Sequence, residues 1–158
     1  MASTLLFPSL DLAVIGAGPV GLGLALHAAR RLPDARVTLY DARSLDADVS
    51  RDPRTLALSF GSVQWLERLE AWNAQAAQPI LEVHVSQAPP GAPPWGTGAA
   101  REPALRIRAA DEGVPMLGAA LAYGQIVAPL QAAWLAAVQR EPARLTSRAA
   151  CSGATIWP

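Results

Sequence analysis

The sequence predicts an α/β fold built around a parallel sheet, and three neighbouring segments carry this prediction. Residues 12–15 form an apolar run that ends at a glycine, which is typical of a buried strand. The following stretch, from Pro19 to about Arg31, is rich in Ala and Leu and favours a helix. Residues 37–40 are β-branched and apolar and indicate a second strand. Strand, helix and strand within about 30 residues make a βαβ unit with parallel strands.

The middle of the chain alternates loops with shorter elements. Residues 41–54 are polar and predict a loop, and apolar residues at helical spacing then predict a helix over about residues 59–72. Apolar and polar residues alternate over residues 81–86, so we expect a half-buried strand. Residues 88–100 are rich in Pro and Gly and predict a loop. Residues 105–108 are expected to pair as another strand.

Residues 113–139 carry no charged side chain and are numerous enough to span a bilayer. The stretch nevertheless contains Pro115, Pro129 and Gln131, which are costly in the apolar part of a membrane. We therefore expect a short buried strand followed by an amphipathic helix that Pro142 ends.

The last residues, 143–158, do not complete the predicted sheet. Leu145 could open a new strand, but the apolar pattern then dissolves and predicts no further strand or helix. A parallel sheet that stopped here would leave an open edge and a bare face. The sequence is therefore expected to be a truncated part of a larger domain.

Composition excludes several classes of function. The 13 basic and 13 acidic residues cancel, so charge gives no case for nucleic-acid binding. Every basic residue is Arg, which excludes a lysine Schiff base and a Walker-type phosphate lysine. The single cysteine, Cys151, excludes an intramolecular disulfide and a multi-cysteine metal site. With no signal peptide at the N-terminus, we expect a cytoplasmic protein without a metal site.

The main functional motif is a G-x-G-x-x-G pattern, placed directly after the first predicted strand and before the first predicted helix. In this pattern Gly16 allows a tight turn, Gly18 lets the backbone approach a pyrophosphate, and Gly21 lets the helix pack closely on the sheet. Free amides near Pro19 and Val20, together with the helix dipole, attract phosphate charge.

An acidic residue completes the pattern. Asp41 follows the second predicted strand, 20 residues after Gly21. A carboxylate at this point accepts hydrogen bonds from ribose hydroxyls and repels a 2′-phosphate. The motif and Asp41 together predict binding of FAD or NAD, and the alternative is a glycine-rich turn beside a solvated carboxylate.

Several further blocks resemble the ubiquinone-biosynthesis hydroxylases, the UbiH/UbiF/VisC group of the aromatic flavin monooxygenases. The blocks are DPRTLALSFGS (52–62), LERLEAW (66–72), VHVS (83–86), DEGVPMLG (111–118) and YGQIVAPL (123–130). The resemblance runs from about residue 11 to residue 145, in order and with similar spacing. Because several linked blocks match, it is more specific than the glycine motif alone.

The resemblance implies an activity and a set of cofactor-binding residues. Such enzymes bind FAD, reduce it with NAD(P)H as co-substrate, and use oxygen to hydroxylate an aromatic ring, here by analogy a polyprenylated phenol. The implied FAD-contacting residues are Gly16, Gly18, Pro19, Val20 and Gly21 at the pyrophosphate, Asp41 and Arg43 near the ribose, Arg54, and Gln125 where the chain passes the cofactor. A guanidinium suits the task of Arg54 because it combines charge with forked donors.

The sequence also departs from the family. The family's later segments that contact flavin and NAD(P)H have no counterpart here, and Ala119 and Ala120 replace an aromatic residue and a valine. We therefore expect residues 1–158 to be the N-terminal portion of a Rossmann-like FAD-binding domain, with residues 85–110 starting the substrate-side sheet.

Two alternatives to this reading stay open at this point. One is a fragment of an NAD-dependent Rossmann dehydrogenase, and the other is a non-catalytic nucleotide-binding remnant. The expected partner is an aromatic or quinone-type small molecule. Peripheral association with the inner membrane or a ubiquinone-biosynthesis complex is a further alternative, for which Trp95 is a candidate contact.

Overall fold

The computed structural model describes residues 10–86 and 104–149, which form a mixed α/β protein. In chain order its elements are β1 (Asp11–Ile15), α1 (Pro19–Arg31), β2 (Arg36–Asp41), β3 (Thr55–Ser59), α2 (Phe60–Arg68), β4 (Gln78–Ile80), β5 (Glu82–Ser86), β6 (Ala104–Arg108), β7 (Gly118–Ala122), α3 (Tyr123–Arg140) and β8 (Leu145–Ala149). The predicted loop over residues 88–100, with Trp95, and the single cysteine, Cys151, lie outside the described residues.

The predicted strand–helix–strand unit is confirmed. β1 and β2 pair in parallel, with Asp11 opposite Arg36 and Ile15 opposite Tyr40. Between them α1 begins at Pro19, whose fixed φ suits the first helical position and whose missing N–H is not needed there. The apolar side of α1 is buried against the β1–β2 layer and α3, and it supplies Leu22, Ala25 and Leu26 to the core.

A third parallel strand extends this sheet and opens at Leu145, as the sequence allowed, but the expectation that the pattern dissolves there without forming a strand was wrong. β8 pairs with β2, which gives the order β1-β2-β8. Leu145 is buried, while Thr146 shares a hydrogen bond with Thr38 and Ser147 accepts one from Trp134 Nε1 at 2.8 Å. The strand therefore satisfies its polar side chains through distant partners, which is why its apolar pattern dissolves in the sequence.

A second sheet is antiparallel and has the order β3-β7-β4. The sequence did not predict β3 or β4. β4 holds Pro79, which a sheet tolerates because this strand lies at an edge. The predicted helix over residues 59–72 is shorter in the structure: α2 follows the cap residue Ser59 and ends at Arg68, and Glu70 then takes a left-handed φ of 57°.

The uncharged stretch folds as expected into a short buried strand and a helix. β7 is mostly buried, and α3 begins at Tyr123 and ends at Arg140, shortly before Pro142. Among the residues that the structure describes, no helix combines the length and apolar character that a membrane crossing requires. α3 packs against α1 and places Trp134 in the core.

The strands predicted over residues 81–86 and 105–108 pair with each other, as β5 and β6, but the half-burial expected for residues 81–86 was wrong. Leu81 is 56% exposed, Val85 53% and Leu105 59%. On the other face Glu82 pairs with both Arg106 and Arg108. Alternation in sequence fixes which side chains share a face, but only tertiary contacts decide whether that face is covered.

Candidate functional site

The glycine motif forms the turn between β1 and α1, and two of its glycines are required by backbone geometry. Gly16 has a φ of +97°, in the left-handed region that side chains disfavour. A Cβ added at Gly21 would overlap the carbonyl oxygen of Gly16. This turn therefore brings the start of α1 directly onto the carboxyl end of β1, where ligands of open α/β sheets bind.

The start of α1 offers backbone donors. Gly18 is its cap residue, and the first intrahelical hydrogen bond runs from Leu22 N to Gly18 O at 3.0 Å. The amides of Val20 and Gly21 precede this bond and so have no intrahelical acceptor. Val20 is 77% exposed, so an anion can reach this helix start from solvent. Pro19 has no N–H, and its contribution is to fix the direction of the first turn.

Asp41 lies at the end of β2, and its carboxylate contacts the glycine turn. Oδ2 accepts a hydrogen bond from Ala17 N at 2.5 Å, and Oδ1 accepts one from Arg43 N at 2.8 Å. Only 12% of the side chain is exposed, and this burial opposes the charged form. The two amide hydrogen bonds and the nearby Arg43 outweigh it, so the pKa of Asp41 lies below its usual value of 3.8. Asp41 is therefore a fixed anion beside Gly16 and Gly18.

Arg43 folds back on Asp41. Its Nε lies 3.4 Å from Asp41 Oδ1, and half of the side chain remains exposed. The structure thus places Arg43 on the outer side of the same carboxylate, near the region where the resemblance expects a ribose.

Arg54 is held by a carboxylate on one side and an aromatic ring on the other. Its Nε and Nη2 donate to Asp52, with Nη2 at 2.7 Å from Oδ2. The guanidinium carbon also lies 4.3 Å from the centroid of the Tyr123 ring, within cation–π range. The hydrogen bonds from Arg54 lower the pKa of Asp52. Arg54 is therefore oriented, with 68% of its side chain open to solvent.

Tyr123 is a site residue that the sequence reasoning missed. It begins α3, and a Cβ built at Gly18 would lie 3.4 Å from its hydroxyl oxygen. The ring thus connects Arg54 to the glycine turn. Nothing local in the sequence signals this, because the contact joins segments far apart in the chain. The only available signal was the position of Tyr123 within a block that resembles the hydroxylases.

Gln125 has a different environment from the other predicted residues. Its Oε1 accepts a hydrogen bond from Asn73 Nδ2 at 2.9 Å, which ties it to the segment between α2 and β4. Among the described residues, no hydrogen bond connects Gln125 to the glycine turn. The structure therefore brings together the glycine turn, Asp41, Arg43 and Arg54, and leaves Gln125 beside them on the α3 side.

The assembled groups have a defined chemistry. Helix-start amides and one guanidinium favour a diphosphate, and the carboxylate of Asp41 favours sugar hydroxyls. A Cβ added at Gly18 would lie 3.4 Å from the Tyr123 hydroxyl oxygen, so the turn and this hydroxyl approach each other closely. The donor set fits a dinucleotide such as FAD. No protein-family model matches the chain, and no curated protein matches it.

Proposed function

We propose that this chain is the FAD-binding portion of a flavin-dependent monooxygenase and that its parallel sheet belongs to a Rossmann-like domain. The observation that carries the proposal is the hydrogen bond from Ala17 N to Asp41 Oδ2. It brings a carboxylate suited to ribose hydroxyls onto a glycine turn suited to a pyrophosphate. The contact also supplies an acceptor to the Ala17 amide, so the same carboxylate supports both the fold and the proposed site.

Each group has a role in the proposed complex. The amides of Val20 and Gly21 bind the pyrophosphate, with Gly18 allowing close approach. The Asp41 carboxylate accepts hydrogen bonds from the hydroxyls of the adenosine ribose. Arg54 supplies positive charge to the diphosphate. Arg43 lies outside Asp41 and helps to keep its carboxylate ionised.

The reaction is proposed from the resemblance. Bound FAD supplies the redox chemistry, with NAD(P)H as reductant and oxygen as oxidant, and an aromatic or quinone-type molecule is hydroxylated. The residues of this chain bind and orient the cofactor. The same resemblance favours FAD over NAD, because the block around Arg54 resembles that of flavin enzymes.

The proposal is tested by titrating the purified chain with FAD while following flavin fluorescence and the thermal unfolding temperature. FAD at about 100 times its dissociation constant should add roughly 2.7 kcal/mol of stability. The variant Arg54→Ala should bind FAD about tenfold more weakly or worse, because it loses a charged donor to the diphosphate.

The matched control is Arg31→Ala. Arg31 is an exposed arginine in the last turn of α1, about 18 Å along the helix from Pro19. This variant should bind FAD as the unaltered chain does. A thermal shift with NADH and none with FAD would favour the dehydrogenase alternative. No shift with either nucleotide would contradict FAD binding by this chain.

A further inference from the structure

The tyrosine at the start of α3 reaches across to the start of α1. A Cβ at Gly18 would be in van der Waals distance of the Tyr123 hydroxyl, at 3.4 Å. Gly18 is the cap residue of α1, so the hydroxyl lies at the end of the helix that carries the free amides. A diphosphate bound at these amides would therefore have a side-chain donor on its other side.

The backbone fixes Tyr123 relative to Arg54. Tyr123 N donates to Arg54 O at 2.5 Å, and Gly124 N donates to Asp52 O at 3.2 Å. A Cβ at Gly124 would overlap the carbonyl oxygen of Ser50, so only glycine lets the loop pack this closely on α3. These backbone hydrogen bonds place the Tyr123 ring and the Arg54 guanidinium near each other independently of any contact between the two side chains.

The ring also sets the orientation of the guanidinium. The guanidinium carbon of Arg54 lies over the Tyr123 ring, 4.3 Å from its centroid, while Asp52 accepts hydrogen bonds from the guanidinium nitrogens. A stacked arginine loses fewer side-chain rotamers when it binds an anion, because its position is already restricted.

We propose that Tyr123 is a diphosphate-binding residue: its hydroxyl donates to a phosphate oxygen at Gly18, and its ring positions Arg54 for the same diphosphate. This inference rests on the proposed dinucleotide binding and names a residue that recognises the diphosphate rather than the adenosine. The ligand class is any nucleoside carrying a 5′-diphosphate, with ADP as the simplest probe. Adenosine lacks the group that Tyr123 would contact.

The test compares the affinities of FAD, ADP and adenosine for the full chain and its variants by calorimetry. Tyr123→Phe keeps the ring and removes only the hydroxyl. It should lower the affinity for FAD and for ADP about tenfold. Adenosine affinity should not change. Tyr123→Leu also removes the stacking surface and should lower the affinity for ADP further. Adding Arg54→Ala to Tyr123→Leu should lower ADP affinity less than Arg54→Ala does in the unaltered chain, because the two residues act together.

The matched control is Tyr40→Phe. Tyr40 stands opposite Ile15 on the face of the sheet away from the buried helices, and its hydroxyl makes no hydrogen bond to the described residues. This variant should leave ADP affinity unchanged. Thermal unfolding of each ligand-free variant shows whether its fold is intact.

The outcomes separate the two proposals. If the unaltered chain binds FAD and ADP but Tyr123→Phe binds ADP equally well, the hydroxyl contact is overturned and the proposed function stands. If Tyr123→Phe lowers the affinity for adenosine as much as the affinity for ADP, Tyr123 acts through the fold, and its role at the diphosphate is overturned. If the unaltered chain binds neither FAD nor ADP, both proposals fail.

Discussion

Asp41 Oδ2 and Ala17 N are joined by a hydrogen bond of 2.5 Å between the end of β2 and the turn that follows β1. The bond connects two strands beyond the point where their ladder stops. It therefore links the stability of the βαβ unit to the geometry of the proposed site. A change at Asp41 should affect both, and the two effects can be measured separately.

Asp41→Ala should lower the free energy of unfolding by about 1–3 kcal/mol, because the amide of Ala17 loses its acceptor. Chemical denaturation of the ligand-free chain measures this change. Asp46→Ala is the matched control, since Asp46 is an exposed carboxylate in the following loop and makes no hydrogen bond to the described residues. Equal stability of the two variants would show that the Asp41 contact contributes nothing to the fold.

The stability supplied by Asp41 should depend on pH in a defined direction. Its pKa in the folded chain lies below the usual value of 3.8, so the folded state favours the ionised form. The contribution is therefore complete above about pH 4 and is lost as pH falls through the folded pKa. Denaturation of the chain and of Asp41→Asn, from about pH 6 to about pH 2, should give stabilities that converge at the acid end. A constant difference would contradict the assignment.

The pairing of Asp52 with Arg54 should reduce the affinity of the site for anions. Asp52→Asn removes a negative charge from the guanidinium, while the Tyr123 ring and the backbone bond to Tyr123 still hold Arg54 in place. We expect ADP to bind a few-fold more tightly to this variant, and the gain to shrink with added salt. Stability should change little, because the Arg54 end of the ion pair is open to solvent and water screens the attraction.

The control for this variant is Asp34→Asn, which removes an exposed carboxylate beyond the far end of α1. ADP should bind that variant as it binds the unaltered chain. Weaker ADP binding to Asp52→Asn would mean that Asp52 orients Arg54 more than it competes for it.

The parts of the fold that the sequence predicted are those decided by local pattern. The β1–α1–β2 unit follows from two apolar runs, an Ala- and Leu-rich segment and three glycines, and each of these acts over a few residues. The start of β8 at Leu145 was recognised, but its continuation was not, because Ser147 is satisfied by Trp134, which lies on another element. β4 was missed because Pro79 argues against a strand until its edge position is known.

The candidate site divides in the same way. Gly16, Gly18, Gly21 and Asp41 were predicted because their spacing reflects one local unit. The contact between Tyr123 and Gly18 depends on how α3 packs against α1, which no short pattern encodes. Gln125 was predicted as a cofactor contact, but packing pairs its side chain with Asn73, and no short pattern encodes that contact either.

Two glycine substitutions should have opposite effects on stability. Gly21→Ala places a Cβ on the carbonyl oxygen of Gly16, so it should destabilise the chain by more than about 2 kcal/mol and weaken FAD binding. Gly61→Ala lies in α2, where a Cβ would meet no atom within 4 Å. It should stabilise the chain by about 0.5–1 kcal/mol, because alanine favours a helix. Destabilisation of similar size by both would contradict the close approach at Gly21.

A mainly apolar pocket of about 170 Å³, partly open to solvent, lies beside β7, and covering its apolar lining should stabilise the fold. It is lined by Trp72, Ala74, Ala77, Pro79, Met116 and Ala119. Ala119→Val adds two methyl groups facing this space, and we expect a gain of about 1 kcal/mol in the free energy of unfolding. Ala57→Val is the control, because Ala57 is exposed on β3 and gains strand preference without filling the pocket. A loss of stability for Ala119→Val alone would mean that the strands around Ala119 cannot accept a larger side chain.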